Sequence, residues 1–134
     1  MGSMNLRMFI HIGCVLTLLA ALAPSVHAED VKLSEKEKIE ALITSIEGLK
    51  DAKFVRNGSV YDSKTAGKFL RARWKKFDKE IKAATDFITT AANRSSSGKP
   101  YLIRFKDNSE VTCADYLTAE LKKLEANGKQ PPQK

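Results

Sequence analysis

The sequence predicts an α-rich α+β fold in which about four helices surround one small antiparallel β-ribbon. Three observations carry that expectation. Apolar residues recur at three- and four-residue steps over 39–49, 66–77 and 114–124. Each of these stretches follows a residue suited to cap a helix, namely Ser34, Asp62 or Ser63, and Thr112. Between them, Tyr101-Leu102-Ile103-Arg104-Phe105 is rich in aromatic and branched residues and leads into an Asp107-Asn108 turn. A pure four-helix bundle is the alternative, should residues 101–111 be irregular.

Taken in order, residues 1–28 predict a secretory signal peptide. Arg7 makes a short basic start, an apolar run spans 8–22, and Val26-His27-Ala28 supplies a small-x-small cleavage site. The run is shorter than the ~20 apolar residues that a bilayer core requires, so a retained anchor is disfavoured. The expected address is therefore periplasmic or secreted. Residues 29–126 form the predicted globular domain, and 127–134, ending in Gln130-Pro131-Pro132-Gln133, a flexible tail.

The first helix is expected over 35–49, with Ser34 and Glu37 as a capping box. Phe54 to Tyr61 holds an Asn57-Gly58 turn between short apolar pieces, a tight turn or a minimal hairpin. The second helix starts at Lys64 and runs to at least Lys76, carrying Ala66, Phe69, Leu70, Trp74 and Phe77 on one side, with Ile81 extending the stripe if the helix persists. A third, shorter helix covers 86–92 behind a Thr85 cap. Residues 93–100 are a loop by composition. Glu110-Val111 pairs back on the 101–105 strand, and Thr112 with Asp115 opens the fourth helix.

Cleavage after Ala28 removes Arg7, both histidines and Cys14, so the formal charge of +7 falls by one and Cys113 remains as a single cysteine. No internal disulfide is then available. With no imidazole, Ser-His and Cys-His nucleophile pairs and zinc sites of the Cys/His kind are excluded, and no cofactor or metal is expected. The surviving enzymatic option is a carboxylate-dependent hydrolase of envelope glycans, for which Asp62, Asp86, Glu110 and Asp115 are the candidate acids. Spacing singles out no pair among them.

Two sets of residues are candidates for binding. Lys64, Lys68, Arg71, Lys75, Lys79 and Lys82 recur at three- and four-residue steps, so a continuous helix would display a basic stripe about 27 Å long. Such a stripe matches a polyanion, and it equally describes a solvated helix face. The second set is Arg56, Asn57 and Tyr61 with Ser97 and Tyr101, on two turns that would make a polar cleft if the fold joins them, with Arg56 and Arg104 at its rim. Trp74 is expected in the core, and Arg73, within the apolar arc, is expected to snorkel or to pair with Glu47 or Asp86. Cys113, in the first turn of the fourth helix, is either a reactive thiolate or a small buried residue.

The run from Ser34 to Lys76, in which FVRNG…Y is the most specific piece, and then SGKPYLIRF and a terminal helix resemble a family of small exported bacterial proteins classified only as a domain of unknown function. The likeness spans 34–125. It implies a single-domain exported protein, with a central helix interrupted near Asp78, and brings no substrate, cofactor or catalytic residue. Sequence and resemblance together predict a non-enzymatic module that binds an anionic envelope component or an envelope protein, through Lys68, Arg71 and Lys75 and through the Arg56 and Ser97 turns. Nucleic acid is not an expected partner of an exported protein, and no membrane span is expected after cleavage.

Overall fold

The computed structural model describes residues 32–128. The predicted signal peptide, and the tail from residue 129 on, lie outside the described residues. α1 (Glu35–Glu47) starts on the expected capping box, in which Ser34 Oγ accepts from the Glu37 N–H and Glu37 Oε2 accepts from the Ser34 N–H. It ends at Gly48 and buries Ile39, Leu42, Ile43 and Ile46. β1 (Lys53–Arg56) and β2 (Ser59–Asp62) are joined by Asn57 at φ 50° and Gly58 at φ 78°. Two consecutive positive φ values make the two-residue turn whose twist matches that of the strands, which is why Asn-Gly stands there.

α2 (Ser63–Lys76) is capped by Asp62, whose Oδ1 accepts from the Thr65 N–H at 2.7 Å. Gly67 lets it approach α1 closely, since a Cβ there would lie 2.2 Å from Glu47 Oε1. The helix stops at Lys76, with Phe77 as its C-cap. Turns over 77–80 follow, and Ile81 is buried in the core although the helix does not persist to it.

α3 (Ala84–Asp86) passes directly into a π-helical turn, Phe87–Ala91. The predicted Thr85 cap is not used. Asp86 Oδ2 accepts from the Lys82 and Ala83 N–H groups, and Glu35 Oε2, reaching from the start of α1, accepts from the Ala84 N–H at 2.8 Å. A carboxylate 49 residues away in sequence therefore does the work assigned to a local hydroxyl.

β3 (Leu102–Arg104) and β4 (Glu110–Thr112) form the second hairpin, and α4 (Cys113–Asn127) follows, its Thr112 cap accepting from the Asp115 N–H. α4 includes Asn127, the first residue of the predicted tail. The two hairpins combine into one antiparallel sheet in the order β2-β1-β3-β4, with Phe54 opposite both Tyr61 and Ile103. This is an α+β fold, and the sheet removes the four-helix-bundle alternative.

Alternation along the strands divides the sheet into two faces. Phe54 and Ile103 join Leu42, Ile43, Leu70, Phe87, Tyr101, Cys113 and Leu117 in the core. Their strand neighbours Lys53, Val55, Leu102 and Arg104 lie on the opposite face, in register with Asp62, Val60, Thr112 and Glu110. No helix among the described residues is long and apolar enough to cross a membrane.

Candidate functional site

Sheet register dictates what meets at one end of the sheet. Because Val55 pairs with Leu102, the β1–β2 turn stands beside the loop that enters β3. Asn57 Oδ1 accepts hydrogen bonds from Ser95 Oγ at 2.8 Å and Ser97 Oγ at 2.9 Å, and the two hydroxyl oxygens are 2.7 Å apart. Two hydroxyl protons serve three oxygen contacts, so two of the three are hydrogen bonds at any one time. The exposed Asn57 amide nitrogen donates to no group among the described residues. Ser95 is buried, and its backbone N–H bonds to the Lys99 carbonyl, closing the loop around Gly98 at φ 82°.

Arg56 leaves this turn on the core face of the sheet. Its guanidinium lies over the Phe69 ring, 4.6 Å from the centroid, a cation–π contact that holds the group at the surface of the core. Arg56 makes no ion pair among the described residues, and its Nε is buried without a hydrogen-bond acceptor. Beside it opens a pocket of about 190 Å³ lined by Phe54, Arg56, Tyr61, Thr65, Ala66 and Phe69. Tyr101, fully buried, stacks at a tilt on Phe54 and edge-on to Phe69, with its hydroxyl unpaired. The ring under Arg56 is thus held in place by two further aromatic residues.

Arg94 and Lys99 border the same loop, and neither is in an ion pair among the described residues. The segments 53–61 and 93–101 contain no carboxylate at all. Arg56 and its pocket therefore stand on a turn that is hydrogen-bonded to the loop carrying Arg94 and Lys99.

Of the predicted site residues, Arg56, Asn57, Tyr61, Ser97 and Tyr101 are brought together. Arg104 is not, because it lies on the opposite sheet face and its Nε donates to Glu110 at 2.7 Å. The basic stripe is also broken. Lys79 and Lys82 fall beyond the end of α2, and Arg71 turns toward α1, bonding to Glu40 and Glu47. Those carboxylates, Glu40 foremost, raise the Arg71 pKa. Lys64, Lys68 and Lys75 remain as exposed charges on α2.

Arg73 does not make the expected pair with Glu47 or Asp86. Its guanidinium donates to the Ala91 and Thr90 carbonyls, at 2.8 and 3.2 Å, which caps the π-helical turn with a cation where the helix dipole favours one. Trp74 is half-buried and meets Phe87 edge-on.

The carboxylates proposed for hydrolysis have structural occupations: Asp62 caps α2, Asp86 caps α3 and Glu110 binds Arg104. Asp115 lies in the first turn of α4, next to Cys113 by two positions. Burial pushes the Cys113 thiol up to about 12, so it stays protonated and apolar at neutral pH. Phe69, Phe54, Thr65 and Ser95 were not foreseen as site residues. Phe69 and Phe54 read as ordinary apolar positions, and only the packing of α2 against the β1–β2 hairpin assigns them to the pocket.

Over 73 residues the chain is 34% identical to the uncharacterized protein YfeK of Salmonella typhimurium, an alignment that covers 54% of this chain and 61% of that relative. The chain therefore matches somewhat under two thirds of the relative's length. No solved structure matches it. The model of the family of unknown function DUF5329 matches residues 33–125, which span α1 to α4, and the chain belongs to that family.

Proposed function

We propose that this protein is an exported, non-enzymatic binding module that recognises an anionic component of the cell envelope at the sheet end built from Arg56, Asn57, Ser95 and Ser97. One observation carries the reading: Arg56 is held against Phe69 at the mouth of an apolar pocket, with a buried Nε that nothing accepts from. A buried donor without an acceptor costs about 1–3 kcal/mol, and a bound anion would recover it. The positive net charge of the chain favours encounter with such a partner. The signal-peptide features of residues 1–28 support the envelope as the place of action.

The test is retention of the purified protein on isolated envelope fractions at low and high salt, alongside Arg56→Gln. Retention that falls with salt and is lost in Arg56→Gln is the expected result. Retention unchanged in Arg56→Gln and lost in a Lys68→Gln, Lys75→Gln double variant would move the site to α2 and refute this reading.

A further inference from the structure

The pocket beside Arg56 is small. At about 190 Å³ it is below the ~300–1,000 Å³ of sites that enclose drug-sized ligands or cofactors. One amino-acid side chain fills such a space, and its walls of Phe54, Ala66 and Phe69 ask for an apolar one. The single charged group at the pocket is a guanidinium, whose planar fork of donors matches the two oxygens of a carboxylate. An apolar side chain and a carboxylate attached to the same carbon atom are what the last residue of a peptide chain presents.

A third feature suits the residues that precede such a terminus. β2 is an edge strand of the sheet, and Val60 on it is 48% exposed. Its outer edge has no partner strand among the described residues, so it offers main-chain donors and acceptors to an extended peptide, the mode in which sheet edges capture peptides. Tyr61, the β2 residue opposite Phe54, lines the pocket itself, so edge and pocket adjoin. A long acyl carboxylate would need a deeper apolar channel, and a phosphate group would use the arginine and leave the apolar walls empty.

Resting on the anion-binding reading above, we infer that the Arg56 pocket receives the C-terminal residue of a peptide or protein, its apolar side chain against Phe54 and Phe69 and its α-carboxylate on the Arg56 guanidinium. No bond is made or broken.

The experiment is isothermal titration of the purified protein with four probes: N-acetyl-Ala-Ala-Leu as the free acid, its C-terminal amide, N-acetyl-Ala-Ala-Gly as the free acid, and inorganic phosphate. The leucine acid is expected to bind at least about tenfold more tightly than the amide or the glycine acid, in line with the loss of a charge-assisted hydrogen bond or of a buried apolar side chain. Arg56→Gln is expected to abolish the difference between acid and amide, and Arg56→Lys to restore little of it, because an ammonium lacks the fork. Thr65→Phe, at an exposed position on the pocket wall, is expected to block the leucine acid without unfolding the protein. Equal affinity for acid and amide would overturn the proposal. Phosphate binding tighter than the leucine acid would overturn it too, while leaving the anion-binding reading intact. Binding of none of the four probes would sink both.

Discussion

Two parts of this molecule are rich in cations, and they differ in what surrounds the charge. On α2 the basic residues are more numerous and more regular, yet Arg71 is taken up by Glu40 and Glu47, and the helix ends before Lys79 and Lys82. At the sheet end the cations are fewer and irregular in sequence, yet Arg56 meets an aromatic ring and a pocket, leads directly into a turn hydrogen-bonded to Ser95 and Ser97, and makes no ion pair among the described residues. A charge becomes a recognition element when it is held in place and left unpaired. Periodicity alone reports neither condition.

The difference can be broken most forcefully at Tyr101. Tyr101→Ala removes a fully buried ring from beneath Phe54 and Phe69 and should destabilise the fold by about 3–5 kcal/mol in chemical denaturation. Tyr101→Phe keeps the ring and deletes only the unpaired hydroxyl, so its stability should change by less than about 0.5 kcal/mol or rise. A large loss in Tyr101→Phe would mean that the hydroxyl has a role the packing does not explain.

Gly67→Ala attacks the other side of the comparison. The new methyl meets the Glu47 side chain, which has to move and loosen its bond to Arg71, at a cost of about 1–3 kcal/mol. A neutral outcome in a thermal melt would show that Glu47 swings aside freely and that the pairing of Arg71 is loose.

How much of this was legible in the sequence follows from the range of each interaction. Helix starts depend on neighbours three residues apart, and Ser34, Asp62 and Thr112 cap their helices as their spacing predicts. The Asn57-Gly58 turn is equally local. The joining of two hairpins into one sheet depends on β1 pairing with β3 across more than forty residues, and neither strand is long enough to announce it. The candidate site shows the same division. Arg56, Asn57 and Ser97 were visible as turn residues, but their meeting depends on that long-range register.

The errors have the same origin. Nothing near Arg71 in sequence reveals that its partners stand 31 and 24 residues earlier on α1. Gly67, one turn before Arg71, was the available sign that a second helix comes close on that side. For Arg73, snorkelling or a carboxylate partner is what its charge suggests, whereas a π-helical turn that leaves the Thr90 and Ala91 carbonyls open to it is not legible.

Smaller effects refine the contrast. Ser95→Ala deletes one hydroxyl of the cluster and should cost about 1 kcal/mol, because Ser97 still reaches Asn57. Its amide exchange should quicken over 95–98 and stay unchanged on α2. The smallest change is expected for Lys68→Gln with Lys75→Gln, both exposed and outside any ion pair among the described residues. Thermal stability should shift by no more than about 0.5 kcal/mol.

The most direct test of the central claim is a titration of isotopically labelled protein with inorganic phosphate at low salt, followed residue by residue through its backbone amide signals. The account predicts that the largest shifts fall on Arg56, Asn57 and residues 95–98, and that the α2 lysines move little. Largest shifts along Lys64, Lys68 and Lys75, with the Arg56 turn unmoved, would contradict it and return recognition to the helix.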